Sequence, residues 1–270
     1  MKPVSMYSAY GWKAKIGLII PSTNTTNEPE FWRMAPEGIS IHTSRVLLLG
    51  KTDQESYLRM AAALADAAEE LATAEVDVVA YSCTSGSTIV PVPELLKTMT
   101  DKTATPATAA SAAVVAALRA LGVKRISVGT PYTELVNTKQ KLFLEQHGFR
   151  VETLKGLDLG HTQEERRGIN RIPPEMAFRL AREVDRPDAE AVFLSCTALP
   201  TIDVIAELER ELGKPVISSN IAVFWSCLRL LGIKAPVVGY GQLLERHLEP
   251  IDASDFSVAP PVPAQSRGQR

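Results

Sequence analysis

Val79-Ala80-Tyr81-Ser82-Cys83-Thr84 and Val192-Phe193-Leu194-Ser195-Cys196-Thr197 are two versions of one phrase, offset by 113 residues. Each is a short apolar run that stops at a cysteine flanked by hydroxyls, the pattern of a buried strand opening into a loop. Further matches lie on either side. Lys15-Ile16 followed by Pro21 is answered by Arg125-Ile126 followed by Pro131, and Leu118-Arg119-Ala120-Leu121-Gly122-Val123-Lys124 by Leu228-Arg229-Leu230-Leu231-Gly232-Ile233-Lys234, both at an offset of 110. In the second pair five of seven positions are identical and a sixth exchanges Val for Ile. Two amphipathic helices can resemble each other by chance. Three matched blocks in the same order point instead to one unit built twice.

The stretches between these blocks alternate strand and helix. Strands are predicted over 15–20, 39–46, 76–81, 125–129, 150–157, 191–194 and 215–218. Helices are predicted over 53–73, near 93–99, and over 107–121, 133–147, 174–184, 202–212 and 220–231. Apolar strands separated by amphipathic helices predict an α/β fold of two pseudo-symmetric half-domains, each a parallel sheet flanked by helices, with the active site at their interface. The expected divisions are an N-terminal arm over 1–14, half-domains over 15–124 and 125–250, and a tail over 251–270. The tail carries Pro-Pro-Val-Pro and is expected to be disordered or to wrap a partner.

Several function classes are disfavoured by composition. A net charge of −2 with scattered basic residues gives no basis for binding nucleic acid or an anionic membrane. No run of 18 apolar residues occurs, and the N-terminus lacks the apolar stretch of a signal peptide, so the cytoplasm is the expected compartment. Three cysteines make an odd count. No Cys-x-x-Cys occurs, and the histidines at 42, 147, 161 and 247 are far apart in sequence, so neither a disulfide framework nor a metal site is expected.

The chemistry therefore centres on the repeated Ser-Cys-Thr. Open α/β sheets bind ligands beyond the carboxyl ends of their strands. Two halves related by an approximate two-fold axis would aim Cys83 and Cys196 at opposite sides of one bound molecule. A thiolate is both nucleophile and base, so one sulfur can attack or deprotonate on one face while the other delivers a proton on the opposite face. That chemistry requires no cofactor. The loops that follow, Thr84-Ser85-Gly86-Ser87-Thr88 and Thr197-Ala198-Leu199-Pro200-Thr201, suit a bound carboxylate, although hydroxyls after a strand also serve as helix caps. Cys227 faces Ala117 at the repeat offset and reads as core packing.

At these residues the chain resembles the aspartate/glutamate racemase superfamily, in the branch that holds maleate cis–trans isomerases and arylmalonate decarboxylases. The similarity runs over about 15–248. It is carried by Gly17-Leu18-Ile19-Ile20-Pro21-Ser22-Thr23-Asn24-Thr25, Asp77 through Ser85, Thr130-Pro131-Tyr132, Leu194-Ser195-Cys196, Glu207 through Val216, and Phe224-Trp225. The resemblance implies that Cys83 adds to a substrate double bond and that Cys196 donates and accepts the proton. It also implies that Asn24 and Tyr132 bind substrate carboxylates and that Thr84, Ser85 and the backbone at Thr197 form a carboxylate pocket. Asn24 also reads as a helix cap, and Tyr132 as a rim aromatic.

Departures from the pattern shape the expectation. Arylmalonate decarboxylases keep only the second cysteine, so Cys83 argues for an isomerase or racemase. Maleate isomerases carry apolar residues after the first cysteine, whereas Thr84-Ser85-Gly86 follows it here, a pattern shared with racemase-like proteins of ectoine utilisation. The family's second substrate-binding asparagine has no clear counterpart; Asn170 lies nearby. The reading is a cofactor-independent two-cysteine isomerase of a small (di)carboxylate, of the maleate isomerase type. A two-base racemase, an arylmalonate-type decarboxylase and a non-catalytic small-acid binder are the alternatives. The resemblance also implies a homodimer or higher homo-oligomer.

Overall fold

A computed structural model describes residues 9–50, 53–252 and 256. The tail expectation falls almost wholly outside the described residues. The elements run β1 (Ala14–Pro21), α1 (Asn27–Met34), β2 (Ile39–Val46), α2 (Gln54–Ala62), α3 (Leu64–Thr73), β3 (Val78–Tyr81), α4 (Thr84–Ile89), α5 (Val92–Thr103), β4 (Ala107–Ala109) and α6 (Ala110–Ala120). They continue with β5 (Arg125–Tyr132), α7 (Glu134–Gln146), β6 (Arg150–Leu159), α8 (Gln163–Gly168) with a 3-10 turn over Ile169–Arg171, α9 (Pro174–Val184), β7 (Ala191–Leu194), α10 (Ile205–Leu212), β8 (Val216–Ser218), α11 (Ser219–Leu230) and α12 (Gln242–Arg246).

Two four-stranded sheets result, in the orders β2-β1-β3-β4 and β6-β5-β7-β8, with every pairing parallel. The second order repeats the first, as the duplicated sequence predicts. Ser82 N–H donates to Ile19 O at 2.8 Å and Ser195 N–H to Gly129 O at 2.8 Å, so each Ser-Cys-Thr leaves its sheet by the same last bond. The central strands β3 and β7 are buried on both faces, which is why they read as unbroken apolar runs. The equivalent helices α6 and α11 pack against each other across the join of the halves. Along α6, Ala110 through Leu118 are all buried. Their small side chains let the two helices approach closely.

The differences from the predicted elements have local causes. The predicted helix over 107–121 begins with three residues in strand, because Ala107, Thr108 and Ala109 pair with Val79, Ala80 and Tyr81. Edge pairing overrides the helix preference of alanine there. The predicted helix over 53–73 breaks at Ala63, where a tighter turn closes (Ala63 N–H to Met60 O, 3.2 Å). This lets α2 lie over α4 while α3 packs on α5. Short helices α1, α4, α8 and α12 carry too few turns to register as a period in sequence. Among the described residues no helix is long and apolar enough to cross a membrane.

Candidate active site

All seven residues singled out by sequence line one small cleft between the halves: Asn24, Cys83, Thr84, Ser85, Tyr132, Cys196 and Thr197. Cys83 caps α4 and Cys196 follows β7, so the repeat delivers one sulfur from each sheet. Cys227 lies in α11, fully buried and away from the cleft.

Asn24 is at once cap and cleft residue. Its Oδ1 accepts from the N–H groups of Thr26 (2.9 Å) and Asn27 (3.0 Å), satisfying the first turn of α1. That fixes the amide, so Nδ2 points the other way and donates to Thr197 Oγ1 at 3.2 Å. Thr197 Oγ1 in turn donates to Ser82 O at 3.1 Å, tying the second cysteine loop to the first. Thr84 Oγ1 donates to Ser219 Oγ (2.8 Å), which also accepts from Cys196 N–H (3.0 Å). Asn170 does not enter the cleft. Its Oδ1 accepts from Thr25 N–H (2.9 Å) and its Nδ2 donates to Thr23 O (3.1 Å), so it braces the loop that carries Asn24.

The two sulfurs sit in unequal surroundings. Cys83 Sγ lies 3.9 Å from Ser85 Oγ, which donates to the Tyr57 hydroxyl at 2.8 Å. Burial pushes the Cys83 thiol up; the Gly86 N–H, Ser85 and the Arg166 guanidinium work against that rise. Cys196 is pushed up to about 11 by burial, against hydrogen bonds from Tyr132 and the Ala198 N–H, the latter at 3.4 Å. Cys196 is also held at φ +118, a conformation that side-chain-bearing residues rarely adopt. Such backbone costs on the order of 1–3 kcal/mol and persists only where the surroundings enforce it.

Two cleft residues have no distinguishing signal in the sequence. Tyr57 is buried on α2, and Arg166 is buried on α8. Arg166 is the one charged side chain lining the cleft among the described residues. It belongs to Glu164-Glu165-Arg166-Arg167, a mixed-sign cluster that in sequence looks like solvated surface. Among the described residues no acidic side chain lines the cleft, and no group of His, Cys, Asp or Glu could hold a metal ion.

The family model described as arylmalonate decarboxylase matches residues 16–244. The chain belongs to that family. It is 31% identical over 234 residues to an arylmalonate decarboxylase of Bordetella bronchiseptica, covering 85% of this chain and 96% of the relative. It is 29% identical over 247 residues to a maleate isomerase of Nocardia farcinica, covering 86% and 96%. The solved structure of a cysteine-to-serine mutant of the Nocardia farcinica maleate cis–trans isomerase, with a covalently bound succinylcysteine intermediate, superposes with a TM-score of 0.80 at 26% identity, covering 86% of this chain and 98% of that one. The relatives are enzymes, and so is this protein.

Proposed function

We propose that the protein is a cofactor-independent cis–trans isomerase of a small dicarboxylate, of the maleate isomerase type. The observation that carries this reading is the pair Cys83 and Cys196, one from each half, lining a single cleft. Cys83, once its proton has passed to solvent, forms an S–C bond to one alkene carbon. The π pair takes a proton from Cys196 at the neighbouring carbon, giving a succinyl adduct and a Cys196 thiolate. The former double bond is now single and rotates. Cys196 then removes a proton, the double bond reforms, and the Cys83 thiolate leaves with the trans acid free. Asn24 Nδ2, Tyr132 and Thr197 hold one carboxylate; Thr84, Ser85 and Arg166 face the other. Dianionic substrates suit a cleft with a cation and no carboxylate, and an amino acid's ammonium group finds no acidic partner there.

Incubation with maleate, followed by proton NMR, tests the reading. Fumarate should accumulate without added metal or cofactor, and a folded protein that leaves maleate unchanged would remove the assignment. The decarboxylase relative supports a second reading. The same assay on an arylmalonate, following loss of carbon dioxide, separates the two activities.

Arg166 gives a prediction of its own. Its charge beside Cys83 should make alkylation by anionic iodoacetate faster, relative to neutral iodoacetamide, than the same ratio for a small free thiol. Arg166→Gln should lower that ratio by at least about fivefold, the water-like end of a charge–charge interaction. Mass spectrometry of the Cys83 peptide reads both rates. An unchanged ratio would place the guanidinium outside the reaction field.

A further inference from the structure

Behind the cleft lies a buried carboxyl that the mechanism above does not use. Glu30 on α1 is only 5% exposed. Its Oε1 accepts from the N–H groups of Thr201 (2.7 Å) and Ile202 (3.3 Å), in the loop that follows Cys196. Its Oε2 accepts from Asn220 Nδ2, at the start of α11 (2.5 Å). The same Nδ2 lies 3.2 Å from Thr197 O. Asn220 Oδ1 accepts from Asn27 Nδ2, and the chain ends there: Asn27 Oδ1 is buried with no hydrogen-bond partner among the described residues. Asn27 N–H is one of the two groups that orient Asn24. One carboxyl thus ties together the supports of both Asn24 and Thr197.

The chain has a direction, and the direction depends on a proton. An ionised Glu30 only accepts, so Asn220 must turn its Nδ2 toward it. A protonated Glu30 carries a donor on Oε2, and Asn220 can meet it only by presenting Oδ1. The reversed amide then sends Nδ2 toward Asn27, which must turn its own amide so that the orphaned Oδ1 comes round to accept. Thr197 O loses its donor in the exchange. We propose that Glu30 is a positioning residue whose protonation reverses the Asn220–Asn27 amide chain and releases Thr197, so that a substrate carboxylate is held firmly only when Glu30 is ionised. The proposal rests on the reading of Thr197 and Asn24 as substrate contacts.

The surroundings bring the proton within reach. Burial pushes Glu30 up to about 7, against the lowering effect of its three donors. The charged groups that face it are Arg33, one turn on along its own helix, and Asp203 on the loop. These two are paired with each other at 2.9 Å. Because the folded-state value lies above the ordinary one, the contribution of Glu30 to stability is present at acid pH and lost as the pH rises through about 7.

The test uses fumarate, whose two carboxyls stay ionised over the range studied, as the ligand of the native protein. Its affinity should rise about tenfold between roughly pH 6 and pH 8, the worth of one buried hydrogen bond. Glu30→Gln places an amide donor where the protonated acid has its hydroxyl. Its affinity should be flat and fixed at the native low-pH level. A pH-independent native affinity, or a pH dependence that survives in Glu30→Gln, overturns the proposal. Should Glu30→Gln fail to fold, NMR of the native protein decides: the side-chain amides of Asn220 and Asn27 must shift with the same midpoint as the Glu30 carboxyl carbon, and unmoved amides sink the idea. A wrong functional reading shows itself differently. The native protein then binds no fumarate at any pH, while the coupled titration of Glu30, Asn220 and Asn27 persists and supports the amide reversal.

Discussion

Cys196→Ser should stop turnover and leave Cys83 carrying one equivalent of substrate. Serine cannot match the thiol as an acid and base, and loss of a positioned proton-transfer group costs about 10²–10⁴ in rate. Addition at Cys83 needs its own thiolate and one proton at the neighbouring carbon, which water can deliver more slowly, whereas taking that proton back needs a base that serine does not supply. Intact mass after incubation with maleate should show the protein plus one maleic acid, with the added mass on the Cys83 peptide. Cys83→Ser should be as inactive and gain no mass. The double variant should be no slower than the worse single one, because the two sulfurs act as a unit. An adduct on Cys196 instead would exchange the proposed roles, and unimpaired turnover in either variant would discard the two-thiol mechanism.

The second large effect comes from a residue with no functional group. Gly86 lies in the first turn of α4, three residues after Cys83. A Cβ added there would lie 2.6 Å from the Tyr81 hydroxyl and 3.0 Å from both Cys83 Sγ and Met60 Cε. Tyr81 is fully buried, so the clash is taken up by the α4 turn, and the Cys83 sulfur packed against that turn is displaced with it. Misplacement of a reacting atom by about 1 Å costs on the order of 10² in rate. Gly86→Ala should therefore fold, keep Cys83 alkylatable at high pH, and lose about 10² in kcat with a smaller change in KM. Steady-state kinetics beside a thermal melt test this. Full activity would mean that the α4 turn adjusts without disturbing the sulfur.

What sequence made legible follows from what repetition can encode. The cysteines were found because each ends a strand of the same internal pattern, and Asn24, Tyr132, Thr84, Ser85 and Thr197 because they sit in motifs with a family counterpart. Tyr57 and Arg166 broke no pattern. One is an aromatic on an amphipathic helix and the other lies in a mixed-charge cluster; only the approach of the helices that carry them to the cleft makes them site residues. Asn170 is a different case: in sequence it only lies near where the family's second asparagine is expected, and folding assigns it to bracing the Asn24 loop. Strand β4 was hidden because Ala-Thr-Ala gains its strand character from the neighbour it pairs with. Nor could the inequality of the two sulfurs be read from two identical Ser-Cys-Thr triplets. It arises from Arg166 near one and a backbone held at positive φ at the other.

The packing of α6 against α11 fixes more than the join between halves. Cys83 follows β3 and Cys196 follows β7, so the seam between α6 and α11 joins the two halves that carry the sulfurs. A bulkier residue along α6 would press one half against the other and disturb the cleft while leaving every residue that lines it as it is.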